Sequence, residues 1–471
     1  MTLLRSGVRA LRRVVIAAGA ALLALALFTP PASSVLPEPA APCATEPAGD
    51  PLRYVVLFDE GTPQQRARRE IDRACGTQTA YYPQIAVAVA TSAEPDFGQR
   101  IGIERTFSAQ AARRSNLGAG GGQQQRATRN RHATTDRNGE QWDMRMINAQ
   151  RAREAGVSGA DDVVVGVLDS GIDAGHPDLA EAVDPTLSAD CRNGTPDTRE
   201  RAWRPTASAH GTHVAGVIAA ADDGIGITGV APETTLASIK VIGEQGYADP
   251  ESAVCGYMWA ARHDMRITNS SYSVDPWSLS CANRDGFDVA REAISRAVDY
   301  AADHGTTHVA AATNDAADLT PAVLGADGGC EVLPASLRPM ITVSATGKNR
   351  LKSGYSSYGL GVISVTAPGG SGDRCVLSTV PRGYRKMCGT SMAAPHVSGV
   401  LALLAAEHPK ASPERLRQRL TANTQQLPCP DDYDLTGDGT QDAYCTGYRA
   451  YNGFYGHGMV NALAAVDVSQ N

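Results

Sequence analysis

The sequence predicts an α/β protein: a doubly wound, mostly parallel sheet preceded by a small α+β unit. Three observations predict it. Short β-branched runs recur at 163–168, 235–241, 266–269, 308–312, 340–344 and 362–365. Helical stretches separate them, at 214–221, 289–302 and 392–406, and strands alternating with helices favour a parallel sheet covered on both faces. The region 53–115 has a different texture, with two apolar runs around one amphipathic stretch.

From the start of the chain, residues 1–34 carry Arg5, Arg9, Arg12 and Arg13, then an apolar run over 14–28 and a Pro/Ala/Ser segment. That run falls short of the roughly 20 residues needed to cross a bilayer, so it reads as a secretory signal, with an uncleaved membrane anchor as the alternative. Residues 35–52 are rich in Pro and Ala and read as a disordered leader. In 53–115, a strand is expected at 54–58. A helix capped at Thr62-Pro63 should run to about Cys75, with a second strand at 85–89. Residues 116–140 contain Gly118, Gly120, Gly121 and Gly122, with Arg126, Arg129, Arg131 and Arg137. They read as an exposed linker, where proteolytic nicking concentrates. Residues 141–471 form the α/β body.

Composition narrows the function. The 471 residues are 42% hydrophobic and 20% charged, enough to build a core, which excludes a wholly disordered chain. Net charge is −7, distributed as +5 over residues 1–140 and −12 thereafter. An acidic body argues against nucleic acid as a partner. The ten cysteines include no C-x-x-C pair, which argues against zinc. An even count behind a secretory signal reads as disulfides, of which Cys429–Cys445 is the one pairing predicted. No feature suggests more than a monomer, or membrane association once the signal is gone.

Three segments carry chemistry. Val165-Gly166-Val167-Leu168-Asp169-Ser170-Gly171 sets an Asp at the end of a buried strand. His210-Gly211-Thr212-His213 opens an apolar helix, and Gly389-Thr390-Ser391-Met392 puts a Ser where another begins. Serine hydrolysis needs an attacking hydroxyl, an imidazole to take its proton, and a carboxylate to fix the imidazole tautomer. Backbone N–H groups at a helix start can hold the developing oxyanion. Taken singly, a strand-end Asp can be a turn former, a helix-start Ser a cap, and the His pair a weak metal site with no third ligand.

In the order Asp…His…Ser, these motifs resemble the subtilisin-like serine proteases, the subtilase family, over about 141–466. The resemblance implies a subtilisin-like fold and an endopeptidase acting through an acyl-enzyme. It gives Asp169 the orienting role, His210 the base and Ser391 the nucleophile, with His213 structural. It also implies that Asn314 is a second oxyanion donor, with Thr313 where a Gly is usual and expected to narrow the specificity pocket. The segment Thr268-Asn269-Ser270-Ser271-Tyr272-Ser273 falls where such enzymes pair with substrate, Ser270, Ser271 and Tyr272 being the candidate binding residues, with Tyr272 and Ser273 in place of the usual glycines. Further matches are Gly229-Val230-Ala231-Pro232, Leu333-Pro334-Ala335 and Tyr455-Gly456-His457-Gly458. By the same resemblance, 53–115 is a fold-assisting inhibitory propeptide, and the chain is a self-processing zymogen acting on polypeptides. A non-catalytic binding protein on the same fold is the rival from another class, and a protease dedicated to one partner polypeptide is a narrower version of the first.

No cofactor is required for this chemistry. The loop 221–227 resembles the family's calcium loop, with Asp178 as its distant carboxylate, so Asp178 and Asp223 are either structural Ca²⁺ ligands or solvated turn carboxylates. The loop 434–442 spaces oxygens like an EF-hand but has Cys445 where the last Glu would stand, and reads either as a calcium loop or as a disulfide-closed surface loop.

Overall fold

The computed structural model describes residue 43 and residues 49–115, 135–277, 279–281, 285–321 and 330–466. By its internal contacts the chain divides after Pro42. The signal 1–34, most of the leader 35–52 and the Gly-rich part of the linker lie outside the described residues.

The first elements are β1 (Leu52–Leu57), α1 (Gln64–Arg73), β2 (Thr77–Tyr82), β3 (Val87–Ser92), α2 (Phe97–Ile101), β4 (Thr106–Phe107) and α3 (Ala109–Ser115). They build an antiparallel sheet in the order β2-β3-β1-β4. Four strands replace the two expected. β2, with its sequence Thr-Gln-Thr-Ala-Tyr-Tyr, is half exposed and lacks an apolar run, and β4 has only two residues. Alternation sorts the sheet's faces. Tyr54, Val56, Ala86 and Ala88 pack under α1, whereas Val55, Leu57 and Val87 join a core shared with the body.

The body begins with the short helices α4 (Trp142–Met146) and α5 (Ala149–Glu154), then β5 (Val164–Asp169), β6 (Ala189–Asp190) and α6 (Glu200–Trp203). It continues with α7 (His210–Ala219), β7 (Thr235–Lys240), α8 (Pro250–Arg262), β8 (Ile267–Ser270), α9 (Phe287–Asp303), β9 (Thr307–Ala311), β10 (Met340–Thr346) and β11 (Ile363–Pro368). A hairpin, β12 (Val376–Val380) and β13 (Gly383–Met387), leads into α10 (Thr390–Glu407) and α11 (Pro413–Ala422). The strands β14 (Gly447–Tyr448) and β15 (Tyr451–Asn452) and helix α12 (Ala462–Ala465) close the chain.

Seven parallel strands form the central sheet in the order β11-β10-β9-β8-β5-β7-β6. On β5, Val165 and Val167 face the core containing α7 and α10, while Leu168 faces that of α8 and α9. Both faces being buried is why the strands read as continuous apolar runs. The order of strand addition reverses at β5, which lies between β7 and β8. Such a switch point leaves a crevice at the carboxyl ends of the strands.

Five disulfides join Cys43–Cys75, Cys191–Cys255, Cys281–Cys330, Cys375–Cys388 and Cys429–Cys445. The last is the expected pair. The linker boundary at 140 moves inward: Asp136 already bridges Gly226, and the Arg137 N–H donates to the Gly226 carbonyl at 2.7 Å.

Candidate active site

Asp169 ends β5 and is fully buried at that crevice. Its Oδ1 accepts the Ser170 N–H at 2.7 Å, and both its oxygens lie 2.9 Å from Nδ1 of His210, the first residue of α7. Gly211 permits this approach: a Cβ there would stand 2.6 Å from the Gly171 carbonyl and 3.1 Å from the Asp169 Cβ. Burial pulls the imidazole of His210 down, but the Asp169 carboxylate outweighs it and leaves the ring titrating above its ordinary value. His213, one turn on, shares its Nε2 between the Val376 and Arg385 carbonyls, and burial pushes it down to about 3. It is a neutral structural residue.

Ser391 is the second residue of α10. Pro395 lies inside that helix and has no N–H for the carbonyl four residues back. That carbonyl, of Ser391, instead accepts the Ser271 hydroxyl at 3.2 Å, and the Ser391 hydroxyl donates to the Ser271 carbonyl at 3.2 Å. Among the hydrogen bonds of the described residues none joins Ser391 to His210. Asn314 follows β9, and its Oδ1 accepts from the Thr390 backbone N–H at 2.9 Å and the Thr390 hydroxyl at 3.0 Å. With its oxygen so engaged, Asn314 turns its amide Nδ2 into the available donor beside the start of α10.

Thr313 has φ +76°, a conformation costly for a β-branched residue. That explains why a Gly would be usual there; its hydroxyl hydrogen-bonds the Ser357 hydroxyl at 2.9 Å. Ser270 lies inside the sheet between Leu168 and Ala310, its hydroxyl on that of Tyr257 at 2.8 Å, so any face turned to substrate begins at Ser271. Tyr272 is buried in the core shared by α8 and α9.

The two carboxylates of the metal expectation are held by hydrogen bonds of the protein itself. Asp178 is buried and its carboxylate is already engaged: Oδ1 accepts the Tyr384 hydroxyl at 2.7 Å and Oδ2 the Ile227 N–H at 3.0 Å. Asp223 accepts the Ile225 N–H at 2.9 Å in a local turn, and the Gly226 carbonyl of the same loop takes the Arg137 N–H. Among the described residues no three His, Cys, Asp or Glu side chains gather as a metal site. In the loop 434–442, Asp434 likewise accepts the backbone N–H groups of Gly437, Asp438 and Gly439. No step below runs through a metal.

A buried carboxylate on an imidazole, beside a helix-borne serine at a switch point, is the equipment of a serine peptidase. Residues 160–458 match the model of the Subtilase family. Subtilisin DY of Bacillus licheniformis is 31% identical over 321 residues, covering 68% of this chain and 96% of that protein. Subtilisin Savinase of Lederbergia lenta is 31% identical over 325 residues, covering 69% and 97%. The chain belongs to the subtilase family and is a serine-type endopeptidase. Among solved structures, the epidermin leader peptide processing serine protease of Staphylococcus aureus shares the fold with a TM-score of 0.64 at 20% identity, over 90% of this chain and 99% of that one. A lanthipeptide protease does so with a TM-score of 0.55 at 24% identity, over 71% and 96%.

Proposed function

We propose that this chain is a secreted, self-processing zymogen whose mature form cleaves polypeptides through Asp169, His210 and Ser391. The Asp169–His210 pair at 2.9 Å is the observation that carries this reading, because it fixes the Nδ1–H tautomer and leaves Nε2 free to accept a proton. When substrate enters, the Ser391 hydroxyl leaves the Ser271 carbonyl, gives its proton to Nε2 of His210 and attacks the scissile carbonyl. Catalytic hydrogen bonds commonly tighten only in the substrate complex. The Ser391 N–H and the Asn314 Nδ2 hold the oxyanion. Imidazolium then protonates the leaving amine, and water, deprotonated by the same ring, releases the acyl group from Ser391. No cofactor enters. A fluorophosphonate should label Ser391 in the wild type and nothing in Ser391→Ala; an unlabelled wild type would overturn the assignment.

Asn314→Ala is expected to lower turnover by about 10²–10³ with KM nearly unchanged, since the oxyanion exists only in the transition state. A change confined to KM would instead make Asn314 a binding residue.

Residues 1–34 would direct export and be removed, leaving a monomer with no membrane association; no helix among the described residues is long and apolar enough to cross a membrane. The unit at 53–115 would fold against the body and inhibit it. Opposite net charges favour that association, and so do ion pairs of Arg53 and Arg113 with Asp249. Phe107 also stacks on Trp277 at 4.7 Å. Because residues 135–137 pair with the body, the maturation bond should fall upstream of Thr135. Amino-terminal sequencing of the mature enzyme is expected to begin between 116 and 135; a start beyond Arg137 would exclude this placement.

A further inference from the structure

The hairpin β12–β13 links the helix that bears His210 to the helix that bears Ser391. On β12, the Ser378 and Thr379 hydroxyls donate to the His213 and Thr212 carbonyls of α7, both at 2.7 Å. His213 Nε2 sits 3.2 Å from the Val376 carbonyl on β12 and 3.0 Å from the Arg385 carbonyl on β13. β13 ends at Met387, and the chain runs through Cys388 and Gly389 into α10 and Ser391. Cys375 and Cys388 lie one residue beyond the last rung, Val376↔Met387, and their disulfide closes the open end of the hairpin with Cα atoms 4.7 Å apart.

The loop after β11 supports the same end. The Gly389 N–H donates to the Gly369 carbonyl at 3.0 Å, and the Tyr355 hydroxyl lies 2.9 and 2.7 Å from the Gly369 and Gly370 carbonyls. Gly370 has φ +85°, and a Cβ there would stand 2.8 Å from Cys388 Sγ, so glycine lets the disulfide pack directly on this loop.

We propose that the Cys375–Cys388 disulfide is a positioning element for catalysis: it holds Ser391 in register with His210, and opening it lowers turnover while substrate still binds. This rests on the reading above that Ser391 attacks with His210 as its base. β12 is tied to α7, and β13 feeds α10, so the bond between them fixes base against nucleophile. Proton transfer needs the two heavy atoms within about 2.6–3.2 Å, and a misplacement of about 1 Å can cost about 10²-fold in rate. Substrate would pair with the segment after β8, a strand of the central sheet, so binding should change little.

Both cysteines are half-buried and within reach of a small dithiol, whereas Cys191 and Cys255 are buried. A thiolate of the dithiol attacks one sulfur, the S–S bond breaks, and the other cysteine leaves as a thiolate and takes up a proton. The second thiol of the reagent then displaces the first cysteine. The protein gains two electrons and two protons, and the reagent leaves as a cyclic disulfide.

The test compares the secreted wild type with a Cys375→Ala/Cys388→Ala double variant and a Cys429→Ala/Cys445→Ala control, on one peptide substrate and well below the unfolding temperature of each. The first variant should lose about ten-fold or more in kcat with KM within about two-fold, and its rate of fluorophosphonate labelling should fall by the same factor. The control should keep its kcat within about two-fold. Dithiothreitol should reproduce the loss in the wild type, reoxidation should reverse it, and the first variant should not respond. A first variant that melts earlier yet keeps its kcat overturns the proposal, as does an equal loss in the control. If that variant is not secreted, alkylation of the wild type during reduction, mapped by mass spectrometry, takes its place. Activity lost in step with alkylation of Cys375 and Cys388 then supports the positioning role, and activity that survives it overturns the role. A wild type that fluorophosphonate leaves unlabelled sinks the Ser391 reading and the disulfide's role with it; a labelled wild type beside an unimpaired variant sinks the disulfide's role alone.

Discussion

Ser391→Ala is expected to reach the medium with its N-terminal unit still attached, while the wild type loses everything before the segment 116–135. Turnover on a protein substrate should fall by a factor on the order of 10⁶, leaving the residue that oxyanion donors and binding alone supply. Loss of fold should not account for it. Among the described residues, the only hydrogen bond the Ser391 hydroxyl donates is to the Ser271 carbonyl, at 3.2 Å, and losing it should cost about 1 kcal/mol or less. Intact masses of both secreted proteins, with near-ultraviolet circular dichroism as the check on folding, decide the matter. A variant trimmed like the wild type would assign maturation to another protease. A secreted wild type that keeps its unit at 53–115 would mean that the chain does not mature itself.

Much of the candidate site is legible in the sequence because each of its proposed catalytic groups stands at the junction of two strongly patterned elements. Asp169 closes a strand buried on both faces, and Ser391 opens an 18-residue apolar helix, so each motif reads as part of a pattern. Most boundaries moved by one or two residues, as with β5, expected at 163–168 and found as Val164–Asp169, while α7, expected at 214–221, begins four residues earlier, as His210–Ala219. What the sequence hides is what only tertiary contact creates. Asp178 reads, by resemblance, as a calcium ligand or as a solvated turn carboxylate, and its hydrogen bond from Tyr384, which the hairpin β12–β13 brings from 206 residues away, is invisible in the sequence. The strands β2 and β4 carry no apolar run of their own and form by pairing with β3 and β1. The ion pairs of Asp249 join it to Arg53 and Arg113, both more than 130 residues upstream, so no spacing could announce them. Four of the five disulfides were illegible for the same reason, since pairing is set by which loops the sheet order brings together.

Asp169→Asn is expected to lower turnover by about 10⁴ while the protein stays folded, and the cause is the proton position on His210. In the wild type the carboxylate accepts twice: from the Ser170 N–H at 2.7 Å through Oδ1, and from the His210 Nδ1–H at 2.9 Å. In the variant the amide oxygen keeps the Ser170 N–H, so the NH₂ group turns toward His210. A donor there needs a lone pair on Nδ1 and drives the ring proton to Nε2, the atom that must accept from Ser391. The pH profile should move with it. The wild-type imidazole titrates above its ordinary value of about 6.5, and only its neutral form acts as a base, so the acid limb of kcat/KM should lie above that value. Without the carboxylate charge, burial acts alone on His210 and pulls the ring down. The residual activity of Asp169→Asn should therefore persist to lower pH than that of the wild type, even as its plateau drops. Near-normal turnover, or an acid limb displaced upward, would remove Asp169 from the orienting role.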